Sequence, residues 1–546
     1  MGIGWVAHTQ SLGKRAFLRM GRAGLPYCLG VGICVAAIAQ EPAASSPALA
    51  TAATPQSEVE TAAAATPPGQ PLTLAQAIHL ALVNNRGLEK AGLDRESQRF
   101  DLRVAEDEFL PNLNLASGVR YNPVTVNGTE ITTRDASVSA AVTQRIPTGA
   151  TVGLVWDNFA TDTSTSTPKV YDSAFFLQLD QPLLRGAGLR TNLTNLRIAR
   201  LSEQTNILEY KRVVMTTITS VVFSYRALLQ AQQQVEVSRA GVERAREQLR
   251  VNRALVSAGI IPPVEIVQTE ADIANQEFNL LTARALRDSA RFGLVKLLDV
   301  DRSTIYHPVD EITVPEFALD FPTARRLAYD NRPDYRQALQ GKQASELSEY
   351  AARNNRLWSL NLNSRYRLGG TGYSFPSAFD RSFSRLNEEW AVGLNLQVPF
   401  GDLSREQNHL RARIRDQKAS LDVTEVTENI ELEVREALRT VDLAWRRAKV
   451  AAVARELTER KLEIEKGKLQ VGRTTNFAIV TFQNDLITSR LNEIGAQIAY
   501  LNSLTSLELT LGMTLDVWNV RIEDLSRTAG PARADTAPIA AASSAP

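Results

Sequence analysis

Residue types that could perform catalysis occur in this chain, but their spacing assembles no catalytic site. The segment 467–474, GKLQVGRT, is similar to a phosphate-binding loop, yet it ends a helical stretch and Arg473 replaces the loop's lysine. The segment 186–188, Gly-Ala-Gly, begins a dinucleotide-binding pattern whose third glycine is replaced by Thr191. The acidic run 106–108 has no histidine or cysteine beside it and is typical of a solvated helix end. The histidines are too scattered to predict a metal cluster: His8, His79, His307 and His409. We therefore expect no catalytic residue, no metal, no cofactor and no enzymatic activity.

The charge balance argues against a protein that binds nucleic acid. The 546 residues include 61 Lys plus Arg and 60 Asp plus Glu, a net charge of +1. Neutralising phosphates requires an excess of basic residues, which this chain lacks. A composition of 44% hydrophobic and 22% charged residues predicts a folded chain.

Residues 1–39 are organised like a secretory signal peptide. Four basic residues precede an uncharged, mostly apolar run over 25–39, which closes with Ala37-Ile38-Ala39 as a cleavage site. A membrane anchor is a weaker interpretation because a span needs ~20 apolar residues. A lipoprotein signal is also weaker because Cys28 and Cys34 lack a small preceding residue. Cleavage would leave an exported chain of net charge −3 with no cysteine and hence no disulfide.

The rest of the chain contains the same order of predicted elements twice: a helix, strands, a very long helix, a turn and a shorter helix. Residues 110–115, LPNLNL, align with 357–362, LWSLNL, at an offset of 247 residues, whereas Gly259 aligns with Gly472 at an offset of 213. The smaller offset means that the first half carries about thirty additional residues between its strands. We interpret the pattern as an internal duplication.

Proline-free segments over 191–258 and 403–470 predict helices of ~100 Å at ~1.5 Å per residue. Shorter helices are predicted over 72–110, 264–298, 323–357 and 477–511. Apolar residues recur at coiled-coil spacing in both long segments. They are Val214, Val221, Leu228, Val235, Val242, Leu249 and Val256, and Ile430, Val434, Ala437, Val441, Ala444, Ala448 and Ala451. A polar row is interpreted as a solvated face rather than a partner-binding surface: Gln232, Arg239, Arg246 and Arg253.

Six windows of about ten residues alternate between apolar and polar residues, as strands do. They are 112–121, 137–146, 151–158, 173–183, 360–367 and 392–398. Aromatic residues near these windows favour an outer-membrane β-barrel over a soluble sheet with one wet face. Six strands cannot close a wide barrel, so the barrel interpretation requires several copies of the chain.

In the order of its segments the chain resembles the TolC-like outer-membrane efflux proteins, from about residue 72 to 517. The resemblance rests on LTLAQAIHLALVNN (72–85), FLPNLNL (109–115), QLDQPLLRGAG (178–188), VSAGIIPPVEIVQTEADI (256–273) and VGRTTNFAIVTFQNDL (471–486). It implies a homotrimer with an outer-membrane β-barrel continued by a long periplasmic α-helical barrel. It also implies a periplasmic adaptor (membrane fusion) protein, an inner-membrane pump and outer-membrane lipid as partners.

Two features depart from that family's pattern. Relatives use four strands per protomer, whereas the surplus hairpin 137–158 gives six here, either in the barrel or outside the membrane. Relatives also carry acidic residues at a constriction after each tip glycine; Glu265 fits in the first half, but Ala478 and Thr481 stand in the second. Glu265 equally suits a helix N-terminus. By position, the adaptor-docking tips are Val256, Gly259, Ile260, Val471, Gly472 and Arg473.

The resulting prediction is an α+β membrane protein: a trimeric outer-membrane channel of a tripartite efflux or type I secretion system. The alternative is a surface-located structural coiled-coil protein or adhesin. The predicted organisation is a signal peptide (1–39), a linker (40–70), two efflux repeats (71–300 and 323–517) around a connection (301–322), and a C-terminal extension with a flexible tail (518–546). The sequence does not specify the cargo or the pump class.

Overall fold

A computed structural model describes residues 69–384, 387–471 and 473–521. The predicted signal peptide, most of the predicted linker, Gly472 and the tail after residue 521 lie outside these residues. The linker prediction over 40–70 extends slightly too far, because Gln70 begins strand β1 (Gln70–Leu72). β1 pairs in parallel with β6 (Tyr306–Pro308), which lies in the predicted connection between the two halves.

The first half contains five helices, and Asn85 divides the helix predicted over 72–110. Asn85 is extended, at φ −66° and ψ 115°, and its side chain accepts a hydrogen bond from the backbone N–H of Gly87 at 2.8 Å. An asparagine in this position caps the following helix. The helices are α1 (Leu74–Asn84), α2 (Arg86–Asp107), α3 (Leu189–Asn192), α4 (Thr194–Ser257) and α5 (Val264–Leu298).

The second half also has two short helices, strands, a long helix and a returning helix. It adds a short helix between its strands and another at its end, and its described residues include no counterpart of α3. Pro333 divides the helix predicted over 323–357, because proline has no N–H to donate and fits only the first turn of a helix. The helices are α6 (Phe321–Asn331), α7 (Pro333–Asn354), α8 (Phe375–Ser382), α9 (Leu403–Gln470), α10 (Asn476–Thr510) and α11 (Thr514–Val517). The bounds of α5 and α9 coincide with those predicted, and α8 lies where no helix is predicted.

The sheet contains six antiparallel strands in the order β2-β3-β4-β5-β7-β8. They are β2 (Asn112–Val126), β3 (Thr129–Arg145), β4 (Thr151–Thr163), β5 (Ser166–Pro182), β7 (Ser359–Gly372) and β8 (Asn387–Gln397). The surplus hairpin forms β3 and β4, which pair with β2 and β5 inside this sheet. It is therefore part of the same sheet as the other four strands.

Two apolar clusters hold the long helices against the shorter ones. In one, Val214, Ile218 and Tyr225 of α4 pack with α1 and the end of α5; the Tyr225 hydroxyl donates to Leu72 O at 2.8 Å. In the other, Ile430 and Val434 of α9 pack with α6 and α10. The predicted coiled-coil positions of α4 from residue 214 to 242 are at most 2% exposed, as the periodicity requires.

Within the described residues, α4 also holds one 18-residue window of mean hydropathy 1.2, half of which is buried inside the protein. Burial of that kind is typical of a core helix.

Candidate functional site

The six-stranded sheet has one apolar and one polar face, defined by which residues lie opposite each other. The apolar face carries Leu113, Leu115, Val119, Val138, Val142, Leu154, Trp156, Phe175, Leu177, Leu360, Leu362, Tyr366, Trp390, Val392, Leu394 and Leu396. The polar face carries Asn112, Asn114, Arg120, Asp135, Ser137, Ser139, Asp157, Asp172, Gln178, Asp180, Asn361, Asn363, Arg365, Arg367, Glu389, Asn395 and Gln397. Most side chains on the apolar face lack cover, and Val119 is 88% and Trp390 77% exposed. A protein in water hides such a surface, so this face requires an apolar environment.

Both outer strands of the sheet, β2 and β8, have one side without a partner strand. All eleven residues of β8 are exposed, and so are residues 112–125 of β2. Long exposed edges of this kind pair readily with another strand.

The helices beyond the sheet have the same open-edged arrangement. α5 packs mainly on α4, α4 also on α10, and α10 on α9, so α5 and α9 are outermost. α9 and the residue that follows it carry an exposed apolar row at seven-residue spacing, the α9 stripe: Leu443, Val450, Leu457, Ile464 and Val471. On the side turned away from α4, α5 carries the α5 stripe: Val267, Phe278, Leu281 and Phe292. Both stripes have coiled-coil periodicity and no partner within the described chain.

The polar row of α4 behaves as the solvated face that the sequence indicates. Arg246 pairs with Glu277 of α5 at 2.8 Å, and Arg253 pairs with Glu270 at 3.0 Å, with all four side chains about half exposed. Such pairs contribute little to stability but satisfy the charges locally.

The structure places the predicted tip residues at the ends of two helical hairpins. Gly259 follows α4 with φ +68°, a left-handed conformation that ends helices and favours glycine. Ile260, Val471 and Arg473 are exposed beside their turns, and Val256 is half-buried in the last turn of α4. Gly472 lies outside the described residues.

Glu265 lies in the first turn of α5, where the helix dipole favours a carboxylate. Its Oε2 also accepts a hydrogen bond from Asn476 Nδ2 at the start of α10, at 3.3 Å. Glu265 therefore joins the two hairpins at their tips.

That contact belongs to a set of amide and hydroxyl hydrogen bonds, here called the tip network, which links α4, α5 and α10. Gln248 Nε2 donates to Asn476 Oδ1 at 2.7 Å, and Asn252 Nδ2 donates to Thr269 Oγ1 at 2.7 Å. Higher up, Gln276 Nε2 donates to Asn484 Oδ1 at 2.7 Å. Asn252, Thr269, Gln276 and Asn476 are all less than 9% exposed. Buried polar groups cost free energy when their partners separate, so this network resists opening of the hairpins.

Charged side chains are also buried between α4 and α10, further from the tips than the tip network. Arg226 Nη1 donates to Leu501 O at 2.7 Å and to Thr505 Oγ1 at 2.9 Å. Burial raises the pKa of the nearby Glu508 carboxyl, although the charge of Arg226 opposes that shift. Within the described residues Glu508 Oε2 has no hydrogen-bond partner. The carboxylate form of Glu508 therefore destabilises this interface.

Two segments with residue types that could perform catalysis have structural roles instead: the glycine-rich segment 186–188 and the acidic run 106–108. Residues 186–188 form the turn between β5 and α3, and the turn residues 146–150 pack against them: Thr148 O accepts from Gly188 N at 3.0 Å. The run 106–108 ends α2, where Glu108 pairs with Arg145. Among the described residues, no group of His, Cys, Asp and Glu is arranged to hold a metal ion.

A family model matches part of the first half of the chain. Residues 77–299 match the model described as outer membrane efflux protein, which is less than half of the chain. No curated protein matches this chain at a significant level.

Solved outer membrane channels share the fold. The Campylobacter jejuni CmeC outer membrane channel matches with a TM-score of 0.62 and 16% identity, over 83% of this chain and 89% of that one. Vibrio cholerae VceC, an outer membrane protein, matches with a TM-score of 0.59 and 15% identity, over 80% and 96%. The open state of the Neisseria gonorrhoeae MtrE outer membrane channel matches with a TM-score of 0.58 and 15% identity, over 81% and 89%.

Sequence reasoning missed three features of this chain. The stripes of α5 and α9 are visible in the sequence as a second seven-residue repeat, offset from the buried one. In the sequence, the tip network is visible as polar residues, such as Asn252, at buried positions of the heptad repeat that are usually apolar. Phenylalanines at 375, 379 and 383 have the spacing of one helix face and could have predicted α8.

Proposed function

We propose that three copies of this chain form an outer-membrane channel of a tripartite efflux or type I secretion system. The channel would carry small molecules, metals or proteins from the periplasm to the exterior. The observation that supports this proposal is that both layers of the protomer, the sheet and the long helices, have two edges without a partner. In each layer the two edges are complementary. A ring of copies closes all of these edges at once.

In the sheet layer, closure pairs β2 of one protomer with β8 of the next. Three protomers with six strands each then give an eighteen-stranded barrel, because β3 and β4 lie within the sheet. In the helical layer, the α5 stripe of one protomer packs on the α9 stripe of the next. At each height along the helical layer, a protomer contributes four helices, which are either long helices or shorter ones stacked end to end. Three protomers then give a ring of twelve helices.

The two faces of the sheet fix its orientation in such a barrel. The apolar face contacts lipid, and the polar face lines the lumen, as in outer-membrane barrels generally. The alternative, a water-soluble coiled-coil rod or adhesin, would leave Val119, Leu394 and Trp390 in water at 67–88% exposure.

The helix tips are the proposed gate and docking site, in the periplasm. A periplasmic adaptor, coupled to an inner-membrane pump, would bind Val256, Gly259, Ile260, Val471, Gly472 and Arg473. Binding there would separate the hairpins and break the hydrogen bonds of the tip network. Glu265 would lie at the constriction and favour cations. The cycle makes and breaks no covalent bond.

The channel proposal is tested by purifying the mature chain in detergent and measuring ion conductance across planar bilayers. We expect conductance and a trimer that migrates intact on gels until it is heated. A non-conducting species that remains monomeric and soluble without detergent would refute the proposal and favour the rod.

The gate is tested with cysteine pairs, because the predicted mature chain contains no natural cysteine. Cysteines at Ile260 of one protomer and Val471 of its neighbour should block export when oxidised and restore it when reduced. The single-cysteine variants, oxidised in the same way, are the controls. Full export through completely cross-linked trimers would rule out a gate at the tips.

A further inference from the structure

Helix α8 folds back onto the sheet instead of extending beyond it. It packs on β5 and β7. Two glycines make room: a Cβ at Gly372 would lie 2.9 Å from Ala378 N, and one at Gly370 would overlap the backbone of Ala378 and Ser382. Ala378 and Ser382 are completely buried. The close approach is therefore built into the sequence.

An aromatic cluster fixes α8 in this position. Phe379 lies 6.0 Å from Trp156 and 6.1 Å from Phe175 between ring centroids, and Phe383 lies 5.2 Å from Phe175. These distances suit edge-to-face and offset ring contacts. Trp156 and Phe175 lie opposite each other on β4 and β5 and belong to the apolar face. Thus α8 covers the apolar face and leaves the polar face open.

The height of α8 on that face can be worked out along β7. Trp358 precedes β7 at the helical side of the sheet, shares the apolar face and is 54% exposed. Leu368, opposite Phe175, lies ten residues further along β7. At ~3.3 Å per residue and a strand tilt of ~40°, ten residues rise ~25 Å, which is the height of the apolar band of an outer-membrane barrel.

Resting on the proposed function, we propose that α8 is an interfacial anchor that lies in the outer boundary of the bilayer, against the outside of the barrel. The partner that α8 contacts is lipid, at the boundary between headgroups and acyl chains, where aromatic side chains accumulate. Phe383 and Phe375 remain 58% and 43% exposed at the rim of the cluster, continuous with the lipid-facing residues below them. The side of α8 turned away from the sheet is polar, with Asp380 and Arg381 exposed.

The polar side also explains the orientation of the helix. Arg381 Nη1 donates to Thr371 O at 2.9 Å, which places its guanidinium at the end of β7 furthest from the long helices. Charged side chains exposed beside the partly exposed rings of Phe375 and Phe383 fit the membrane interface rather than the bilayer centre.

Single spin labels in proteoliposomes of phosphatidylcholine test the placement. The label is attached to cysteine in Phe383→Cys, Val392→Cys or Ala391→Cys, and collision with oxygen, enriched in lipid, is compared with collision with a water-soluble nickel complex. Val392 lies on the apolar face and Ala391 on the polar face of β8, so they serve as lipid and lumen controls. We expect the Phe383 label to favour oxygen at a shallower depth than the Val392 label.

The outcomes separate the two proposals. A Val392 label accessible only to the nickel complex would overturn the channel proposal itself. A Val392 label in lipid with a Phe383 label that behaves like the Ala391 label would overturn the anchor alone. Ser384→Cys, at an exposed position one residue further along, repeats the test without removing an aromatic ring; aqueous accessibility there would likewise overturn the anchor.

Discussion

Truncation of Leu457 tests whether the α9 stripe is the surface that joins one protomer to the next. Leu457 is 56% exposed in the isolated chain. Full burial of a leucine side chain contributes ~1.5–3 kcal/mol, so covering the exposed part contributes about 1–2 kcal/mol per interface. A trimer has three such interfaces. Leu457→Ala should therefore cost about 3–5 kcal/mol per trimer, or roughly 10²–10⁴-fold in the association constant.

The height of Leu457 identifies its partner. It lies thirteen residues before the end of α9, and Phe278, which is 70% exposed, lies fourteen residues after the start of α5. Both are ~20 Å from the tips at ~1.5 Å per residue. Phe278→Ala should therefore weaken the trimer to a similar extent. Cysteines at the two positions should form disulfides between protomers.

The assay is the temperature at which trimers dissociate on unboiled gels, together with the yield of cross-linked trimer. Glu456→Ala is the matched control, because Glu456 is exposed at the same height and only pairs weakly with Arg460 on its own helix. If Leu457→Ala and Phe278→Ala trimers dissociate at the wild-type temperature, and the cysteine pair stays reduced, the helical closure inferred here is wrong.

Three further predictions concern single groups. Burial holds the folded-state pKa of Glu508 above its value in the unfolded chain, so stability should fall as pH rises from about 4.5 through the folded-state pKa; Glu508→Gln should remove that slope in thermal unfolding measured from pH 4 to 8. Asn476→Ala loses the bonds from Gln248 and to Glu265, a loss of about 1–3 kcal/mol from the closed tips, and should raise single-channel conductance. Gly149 has φ +98° and a Cβ there would lie 2.7 Å from Asn192 Nδ2, so Gly149→Ala should lower the yield of folded trimer, measured on unboiled gels.

Periodicity predicted the helices well because burial along one face repeats over many turns. α9, with 68 residues, has the bounds expected from the sequence, and the five heptad positions of α4 from Val214 to Val242 are buried as expected, whereas Leu249 and Val256 are half-buried. The sequence analysis did not predict the helix breaks at Asn85 and Pro333. Each break depends on a single residue, a capping asparagine or a proline, inside a segment whose composition is otherwise helical. Local chemistry there outweighs the pattern of the surrounding segment.

The candidate site was predicted less completely, because its geometry arises between elements that are distant in sequence. The tip glycines were predicted from the paired turns and Glu265 from the family resemblance, but the bond from Asn476 to Glu265 joins residues 211 positions apart. The alternating strands were found, but alternation alone could not decide whether β3 and β4 share a sheet with β7. The pairing of β5 with both β4 and β7 decides it.

The inserted hairpin has a consequence for the bore of the conduit. Twelve strands spaced ~4.8 Å apart and tilted ~40° would enclose a backbone ring ~24 Å across, whereas eighteen enclose ~36 Å. Twelve helices ~10 Å apart form a ring ~38 Å across. In the proposed trimer, with β3 and β4 in the wall, the exit through the membrane would be about as wide as the helical duct that feeds it. Cargo narrow enough to traverse the duct would then meet no further steric sieve, so selection by size would occur at the tips or before them.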